Sequence, residues 1–264
     1  MIAVLGIDAA WTAKEPSGVA LAVRDRHAWK LVAAAPSYDA FLCGPGVALS
    51  GRHRGSTPDA SRLLRAAETL AGVPVDLVAI DMPLSLEPIT GRRVSDNLVS
   101  SAYGAKHAST HTPSVLRPGK ISDDLRISFD RAGYALATTT VEGPALAEVY
   151  PHPALIELAA AERRLPYKAS KVAKYWPHDL PGARRERLIE TWKQIVAMLD
   201  ERIDGVESLL SLPAINSKGH EMKAFEDMLD AVICAWVGAC ILEGNAVAYG
   251  DAVSAIWVPR LPSA

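Results

Sequence analysis

The amino-acid sequence predicts an α/β protein whose mixed sheet starts with three antiparallel strands, continues with parallel strands and is flanked by helices. Three observations lead to this fold class. Short apolar runs joined by polar residues fill the first 35 positions, a helical pattern follows them, and a second apolar run then ends in a single aspartate, as the first run does. We interpret residues 1–264 as one domain, which is long enough to bury a sizeable core.

The antiparallel strands are predicted from the N-terminal residues. Residues 2–7 form a continuous apolar run that ends at Asp8, and a run of this length indicates a core strand. Two further apolar runs, at 17–23 and 29–35, are separated by a short polar segment, which is typical of a hairpin. The charge of Asp8 is costly to bury without a partner, so its carboxylate is expected to reach water or a cation.

The parallel part of the sheet is predicted from a strand, helix, strand order. Residues 59–71 have apolar side chains at helical spacing, and residues 75–82 form a second apolar run with Asp81 near its end. A crossover helix between two strands favours a parallel pair. Asp8 and Asp81 would then meet at the carboxyl ends of neighbouring strands, where open α/β sheets bind their ligands.

The middle of the chain has weaker patterns. Residues 84–143 are rich in small and turn-forming side chains, and a loop of this length is uncommon unless it is functional, disordered or partly helical. We interpret 108–118 as a loop over the site. Glu148 lies near the end of a third short apolar run. Residues 154–215 show helical periodicity and are interpreted as a helical insertion beside the sheet.

A long helix is predicted at residues 223–243, where apolar side chains recur at helical spacing. Asp227 and Asp230 lie three residues apart in this helix, so they share a face near its N-terminal end. Two short extended segments follow, at 246–249 and 254–258.

Composition narrows the function classes. The net charge is −2, so a nucleic-acid partner requires a local basic patch. Three cysteines without metal-ligand spacing argue against a disulfide framework and a structural zinc. We expect a cytoplasmic protein without a membrane partner, because no apolar stretch is long enough to span a bilayer and the N-terminus lacks the basic region of a secretory signal. The oligomeric state stays open.

Carboxylates at strand ends and on the late helix form the candidate site. The set consists of Asp8, Asp81, Glu148, Asp227 and Asp230. Oxygen ligands without His or Cys favour Mg²⁺ or Mn²⁺ over zinc. Two such ions about 4 Å apart can activate a water and stabilise the leaving oxygen in phosphodiester hydrolysis.

Five motifs carry a resemblance to a known family. They are GIDAAW at 6–11, IDMPLS at 80–85, Arg92 and Arg93 with Asp96, EVYPHPAL at 148–155, and DMLDAVICAW at 227–236. In this order they resemble an uncharacterised family of predicted ribonuclease-H-like nucleases over most of the chain. The two late aspartates are spaced as in the helix of Holliday-junction resolvases, which is the branch that the resemblance suggests.

The resemblance implies a role for each acidic residue. Asp8 would be the metal-bridging carboxylate, and Asp81 would be its partner on the second strand. Asp230 would be the helix ligand, with Asp227 as a further ligand or a neighbour. Glu148 would have a catalytic role, although its position before a Tyr-Pro pair is equally typical of a structural residue.

Basic side chains are candidates for binding the phosphates of DNA or RNA. Arg92 and Arg93 could bind phosphate bidentately, and an ion-paired helix start explains them equally well. Lys168 and Lys171 belong, with Lys174, to a run that recurs every third residue. This run could form a positive patch, and a solvated helix face is the alternative.

Imidazole and indole groups complete the candidates. Three histidines lie in or beside the candidate loops and could act as a general base or a proton donor: His107, His111 and His152. Trp11 follows the first strand directly and could stack on a base, with packing in the core as the alternative.

Two other function classes share part of this pattern. Actin-like sugar kinases and ATPases also begin with an aspartate-ended strand, but their nucleotide sites need glycine-rich turns. Here Ala9 follows Asp8, and Met82 follows Asp81, which argues against an ATP-dependent phosphotransferase. A non-catalytic binding or regulatory protein on a ribonuclease-H-like fold is the main alternative to a nuclease.

Overall fold

The computed structural model describes residues 1–26, 28–44 and 51–260. Its first three strands pair consecutively and antiparallel, which confirms the prediction: β1 (Ile2–Asp8), β2 (Gly18–Asp25) and β3 (Ala28–Ala35). Most side chains of β1 and β2 are buried, because both faces of these strands are covered, and this explains their continuous apolar runs. β3 lies at the edge of the sheet, and its buried and more exposed residues alternate.

The connection to the parallel part of the sheet contains two helices. It runs through α1 (Tyr38–Cys43) and α2 (Ala60–Ala71) to β4 (Leu77–Asp81). The side chain of Asp59 caps α2 by accepting a hydrogen bond from the backbone N–H of Arg62 at 3.0 Å. β4 lies parallel to β1, as predicted. The short helix α1 was not predicted, because six residues are too few for a helical period.

The segment 84–143 contains more regular structure than the sequence indicated. It holds α3 (Val94–Tyr103), α4 (Lys120–Arg131) and the two-residue strand β5 (Ala135–Leu136). Of the alternatives left open by the sequence, the structure shows the partly helical one, and each of the two helices contributes only a few apolar side chains to the core. Residues 108–118 lie outside helices and strands, as predicted.

The rest of the chain is mostly helical and ends in a hairpin. Its elements are β6 (Ala145–Val149), α5 (Pro151–Leu158), α6 (Val172–Tyr175), α7 (Pro181–Asp200), α8 (Val206–Leu209), α9 (Gly219–Leu242), β7 (Ala246–Gly250) and β8 (Ala255–Pro259). Within the segment 154–215, interpreted as a helical insertion, a 3-10 turn at Ala169–Lys171 leads directly into α6. No helix in the described ranges is long and apolar enough to cross a membrane.

The strands of the described residues form one mixed sheet in the order β3-β2-β1-β4-β6-β8-β7, with β5 paired to β6 beside this path. The central strands β1, β4, β6 and β8 are parallel, and β7 closes the sheet antiparallel to β8. The carboxyl ends of β1, β4 and β6 therefore lie at one edge, which brings together the carboxylates that end these strands.

Helix α9 packs across the central strands, and two glycines allow this close approach. A Cβ atom at Gly6 would lie 2.3 Å from the carbonyl oxygen of Ala231, and one at Gly18 would lie 2.0 Å from that of Asp227. No side chain fits at either position. Because Gly18 pairs with Asp8 across β1 and β2, this contact places the N-terminal half of α9 beside the end of β1.

Candidate functional site

Two aspartates lie side by side at the end of the parallel sheet. Asp8 is the last residue of β1, Asp81 is the last residue of β4, and the two are register partners. Both line a cleft together with Asp227 and Lys223 of α9 and Arg117 of the 108–118 loop. We call this the carboxylate cleft. The convergence of Asp8 and Asp81 follows from parallel pairing, as the sequence indicated.

The two predicted aspartates of α9 have different surroundings. Asp227 lines the carboxylate cleft, its Oδ1 accepts from Lys223, and its buried Oδ2 has no partner in the described residues. Asp230 is fully buried and is held by the Lys168 ammonium and by the Tyr167 hydroxyl, which donates to its Oδ1 at 2.8 Å. Asp227 is therefore the α9 aspartate that lines the carboxylate cleft and has one oxygen without a partner in the described residues.

A second cleft adjoins the first. Trp11, Asp81 and His111 line both, and the rings of Trp11 and His111 meet edge to face with their centroids 6.4 Å apart. The adjoining cleft is also lined by His152 and Lys171. His111 thus lies where the two clefts meet, while His107 lies elsewhere, in a third cleft.

Glu148 is the penultimate residue of β6 and lies close to Asp81, with which it lines the adjoining cleft, but it is part of a buried ion-pair cluster. Both of its oxygens accept from the Arg93 guanidinium, at 2.5 and 2.7 Å, and its Oε2 also accepts from the backbone N–H of Leu84 at 2.7 Å. Arg93 in turn binds Asp96, with one contact at 2.9 Å. The sequence placed Glu148 and Arg93 in separate roles, whereas the structure pairs them with each other.

Arg92 is also engaged within the protein. Its guanidinium donates to the side chains of Asn97 at 2.6 Å and Thr112 at 3.2 Å and to the carbonyl oxygen of Asp96 at 2.9 Å. These bonds fasten the 108–118 loop to α3. The predicted phosphate contacts of Arg92 and Arg93 would therefore compete with existing hydrogen bonds, and those of Arg93 would also require a buried side chain to move.

Lysines neutralise the carboxylates of α9. Lys168 binds Asp230 and lies 3.7 Å from Glu226, whose other oxygen accepts from the backbone N–H of Ala169 at 2.6 Å. Lys223 binds Asp227 and lies 3.2 Å from Glu226. Lys168 thus contacts acidic side chains, whereas Lys171, its neighbour in the predicted patch, has no ion pair in the described residues.

Burial and mutual repulsion raise the pKa values of the acidic side chains in the site. Burial, followed by the charge of Asp230, raises the pKa of Asp8 to about 6. Burial and the charge of Asp8 raise the pKa of Asp81 well above its usual range, and the same two causes raise the pKa of Asp227 to about 8. Burial raises the pKa of Glu148 to about 7 although Arg93 acts in the opposite direction. Such shifts are typical of functional sites.

The donor atoms fit a hard divalent cation by their chemistry. Asp8, Asp81 and Asp227 offer only carboxylate oxygens, one of which is buried and unpartnered, and a cation would relieve their repulsion. In this structure the Lys223 ammonium binds the Asp227 carboxylate and neutralises its charge. Among the described residues, no three His, Cys, Asp or Glu side chains are grouped closely enough to hold a metal ion. A cation bound through Asp227 would have to displace the Lys223 ammonium.

A family model described as "Protein of unknown function (DUF429)" matches residues 6–254. The chain belongs to the DUF429 family. The matched region contains all five predicted acidic residues. No curated protein matches the chain.

Two residues of the charged cluster on α9 were not predicted from the sequence of this DUF429 protein. Glu226 and Lys223 lie on the same face of α9 as Asp227 and Asp230; Lys223 binds Asp227, and Glu226 contacts both Lys168 and Lys223. The signal was present in the sequence, since Lys223 is four residues before Asp227 and Glu226 is four residues before Asp230. Three acidic residues at 226, 227 and 230 with a lysine one helical turn earlier indicate a cluster of ion pairs on one face of the helix.

The raised pKa of Asp8 gives a stability prediction for this DUF429 protein. The folded-state pKa of about 6 exceeds the ordinary value of 3.8, so the stability that protonation of Asp8 contributes is present at low pH and is lost as the pH rises through about 6. Asp8→Asn stays neutral, and we expect it to gain up to about 3 kcal/mol over the wild type between pH 4 and pH 8. Urea denaturation without divalent cations measures this difference. A difference that is constant with pH would contradict the shift.

Proposed function

We propose that this DUF429 protein is a Mg²⁺- or Mn²⁺-dependent nuclease that hydrolyses phosphodiester bonds of DNA or RNA on a ribonuclease-H-like fold. The observation that carries the proposal is that three carboxylates from three elements line one cleft. Asp8 and Asp81 come from adjacent parallel strands and Asp227 comes from the helix that packs on them. The pKa values of Asp8, Asp81 and Asp227 are all raised, as expected of clustered carboxylates that bind a cation.

The order of elements supports the ribonuclease-H-like assignment. Three antiparallel strands are followed by two helices, a parallel strand with a terminal aspartate, and a late helix that packs across the first strands. Three of the motifs on which the resemblance rests begin in β1, β4 and α9. The acidic residues lie at the carboxyl ends of the parallel strands, where α/β sheets bind their ligands.

In the proposed mechanism the three cleft carboxylates hold the ions. Bound divalent cations supply an activated water and stabilise the charge on the leaving oxygen. Because the pKa values of Asp8, Asp81 and Asp227 are all raised, each of these carboxyl groups must lose its proton before it can hold an ion. Lys223 must also release Asp227, after which its ammonium is free to face a phosphate oxygen.

His111 is suited to move a proton at the junction of the two clefts. Burial, followed by the charges of Lys171 and Arg164, lowers the pKa of His111, so its imidazole is neutral at pH 7. A neutral imidazole can accept a proton at one ring nitrogen. Arg117 of the 108–118 loop lines the carboxylate cleft, where its guanidinium can contact a phosphate of the substrate.

The proposal revises the substrate contacts expected from the sequence. Lys171 remains a candidate for phosphate binding, since it lines the adjoining cleft without an ion pair in the described residues. Arg92 and Arg93 become positioning residues that hold the 108–118 loop and Glu148. Lys168 becomes a counter-ion of Asp230 and Glu226.

Cleavage assays with purified protein test this function. Single-stranded, duplex, branched and DNA–RNA hybrid oligonucleotides are incubated with Mg²⁺, with Mn²⁺, or with a chelator. We expect cleavage of at least one substrate with either metal and none with the chelator. Metal-independent cleavage, or no cleavage of any substrate with either metal, would rule the proposal out.

A non-catalytic binding protein is the second candidate. The observation that favours it is that lysines neutralise the acidic side chains of α9. Lys168 binds Asp230 and Lys223 binds Asp227, so these acids have partners without a metal. Such a protein would bind nucleic acid or another ligand without turnover. Titration of Mn²⁺ into the protein separates the two candidates, because the nuclease must bind the ion and the binding protein need not.

A further inference from the structure

A third cleft lies beside the carboxylate site and has a strongly positive lining. Its basic side chains are Arg163, Arg164, Lys171 and Lys174, and Trp176 forms part of its wall. We call it the basic cleft. Its cavity volume of about 900 Å³ exceeds what a single phosphate group requires. Lys171 lines both this cleft and the adjoining cleft, so the two clefts are neighbours.

The four cations of the basic cleft lack acidic partners. Glu162 is the carboxylate among the lining residues, and no ion pair joins it or any other described acid to these cations. Lys168 and Lys223 are in contrast fully engaged with carboxylates. Burial and the charges of Arg164, Lys168 and Lys174 lower the pKa of Lys171, which indicates crowded positive charge. An anionic ligand would relieve this repulsion.

Arg164 lines the basic cleft and contacts a residue of the adjoining cleft. Its Nη2 donates to Nε2 of His152 at 2.5 Å, and His152 lines the adjoining cleft. Trp176 adds an aromatic surface to this lining, next to Tyr175, with the two ring centroids 5.8 Å apart. Several cations together with an aromatic side chain are the features by which proteins bind single-stranded nucleic acids.

We propose that the basic cleft binds the backbone of a single-stranded nucleic acid through Lys171 and Lys174 and stacks one base on Trp176, so that the strand leads toward Asp81. The inference rests on the proposed nuclease function, whose substrate it specifies as a strand with unpaired bases. A duplex keeps its bases stacked inside and offers none to Trp176.

Fluorescence anisotropy with a labelled single-stranded oligonucleotide, in chelator and without metal, tests the inference on the full chain. We expect Lys171→Gln/Lys174→Gln to weaken binding at least about 10-fold and to reduce the slope of log K against log salt by about 1.4, which is about 0.7 for each phosphate that the variant no longer neutralises. Arg62→Gln/Arg65→Gln is the matched control, because it removes the same charge from exposed positions of α2. The control is expected to bind like the wild type.

Trp176 provides a second, independent readout. Trp176→Leu is expected to weaken binding roughly 10-fold with an unchanged salt slope, since stacking releases no counter-ions. Trp176→Phe keeps an aromatic ring and is expected to recover most of the affinity. If Trp176→Phe binds no better than Trp176→Leu while both unfold at the wild-type temperature, the stacking role is excluded.

The outcomes separate this inference from the nuclease proposal. Weaker binding by the lysine variant, in a protein that cleaves nothing, would support the basic cleft and reject the nuclease. Wild-type binding in the lysine variant, or equally weakened binding in the α2 control, would overturn the basic cleft whether or not cleavage occurs. Competition by inorganic phosphate or a mononucleotide at the same concentration as the oligonucleotide would also overturn it, because the site would then hold a single phosphate group.

Discussion

Asp8→Asn is expected to reduce metal-dependent cleavage by more than about 100-fold, since even the residues that only orient metal ligands change activity by about 10- to 100-fold. Asp8 is the register partner of Asp81 on the neighbouring strand and lines the carboxylate cleft with Asp227, so its carboxylate would be one of the groups that hold the ion. An amide keeps the shape of the side chain but removes the charge that binds the ion. Cleavage rates at several Mn²⁺ concentrations measure the effect.

The same substitution is expected to leave the protein folded and, without metal, more stable at neutral pH. Burial raises the pKa of Asp8, so its ionised form opposes folding, and the neutral asparagine does not. A gain in stability together with a loss of activity is typical of a functional residue. Asp130→Asn, at an exposed position of α4, is the control and should change neither quantity. Cleavage by Asp8→Asn at the wild-type rate would exclude Asp8 as a ligand.

The elements predicted correctly are those with long or repeated patterns. β1, β2, β4 and α9 bury most of their side chains, so their apolar runs are visible without knowledge of their neighbours. The pairing of Asp8 with Asp81 then follows from parallel strands of similar length. α3 and α4 were missed because much of their surface is polar, and their apolar contacts are too few to show a period.

The partners of the site residues were less predictable. α9 is buried on almost all sides, so its hydrophobic pattern does not show that Asp227 faces the cleft while Asp230 faces Lys168 and Tyr167. Arg93 and Asp96 are three residues apart and visibly paired in the sequence. Glu148, which completes their cluster, is 55 residues from Arg93, and only the folded sheet brings it there.

Arg93→Met is expected to destabilise the protein by about 3–5 kcal/mol, because removing one partner of a buried ion pair leaves the others uncompensated. Glu148 and Asp96 are both buried, and Arg93 donates to both of them. Urea denaturation at pH 7 measures the decrease in stability. Lys120→Met is the control, since the Lys120–Asp124 pair is exposed and such pairs contribute about 0–1 kcal/mol.

The destabilisation by Arg93→Met should grow as the pH rises. Arg93 lowers the pKa of Glu148, which burial nevertheless raises to about 7, so without the guanidinium this carboxyl is expected to stay protonated to a higher pH. Above pH 7 the folded variant must either keep a proton that the unfolded chain has released or hold a buried charge, and both oppose folding. Arg93→Met/Glu148→Gln should recover part of the stability and remove most of the pH dependence. If Arg93→Met costs no more than Lys120→Met, the cluster does not stabilise the fold, and Glu148 returns as a candidate ligand.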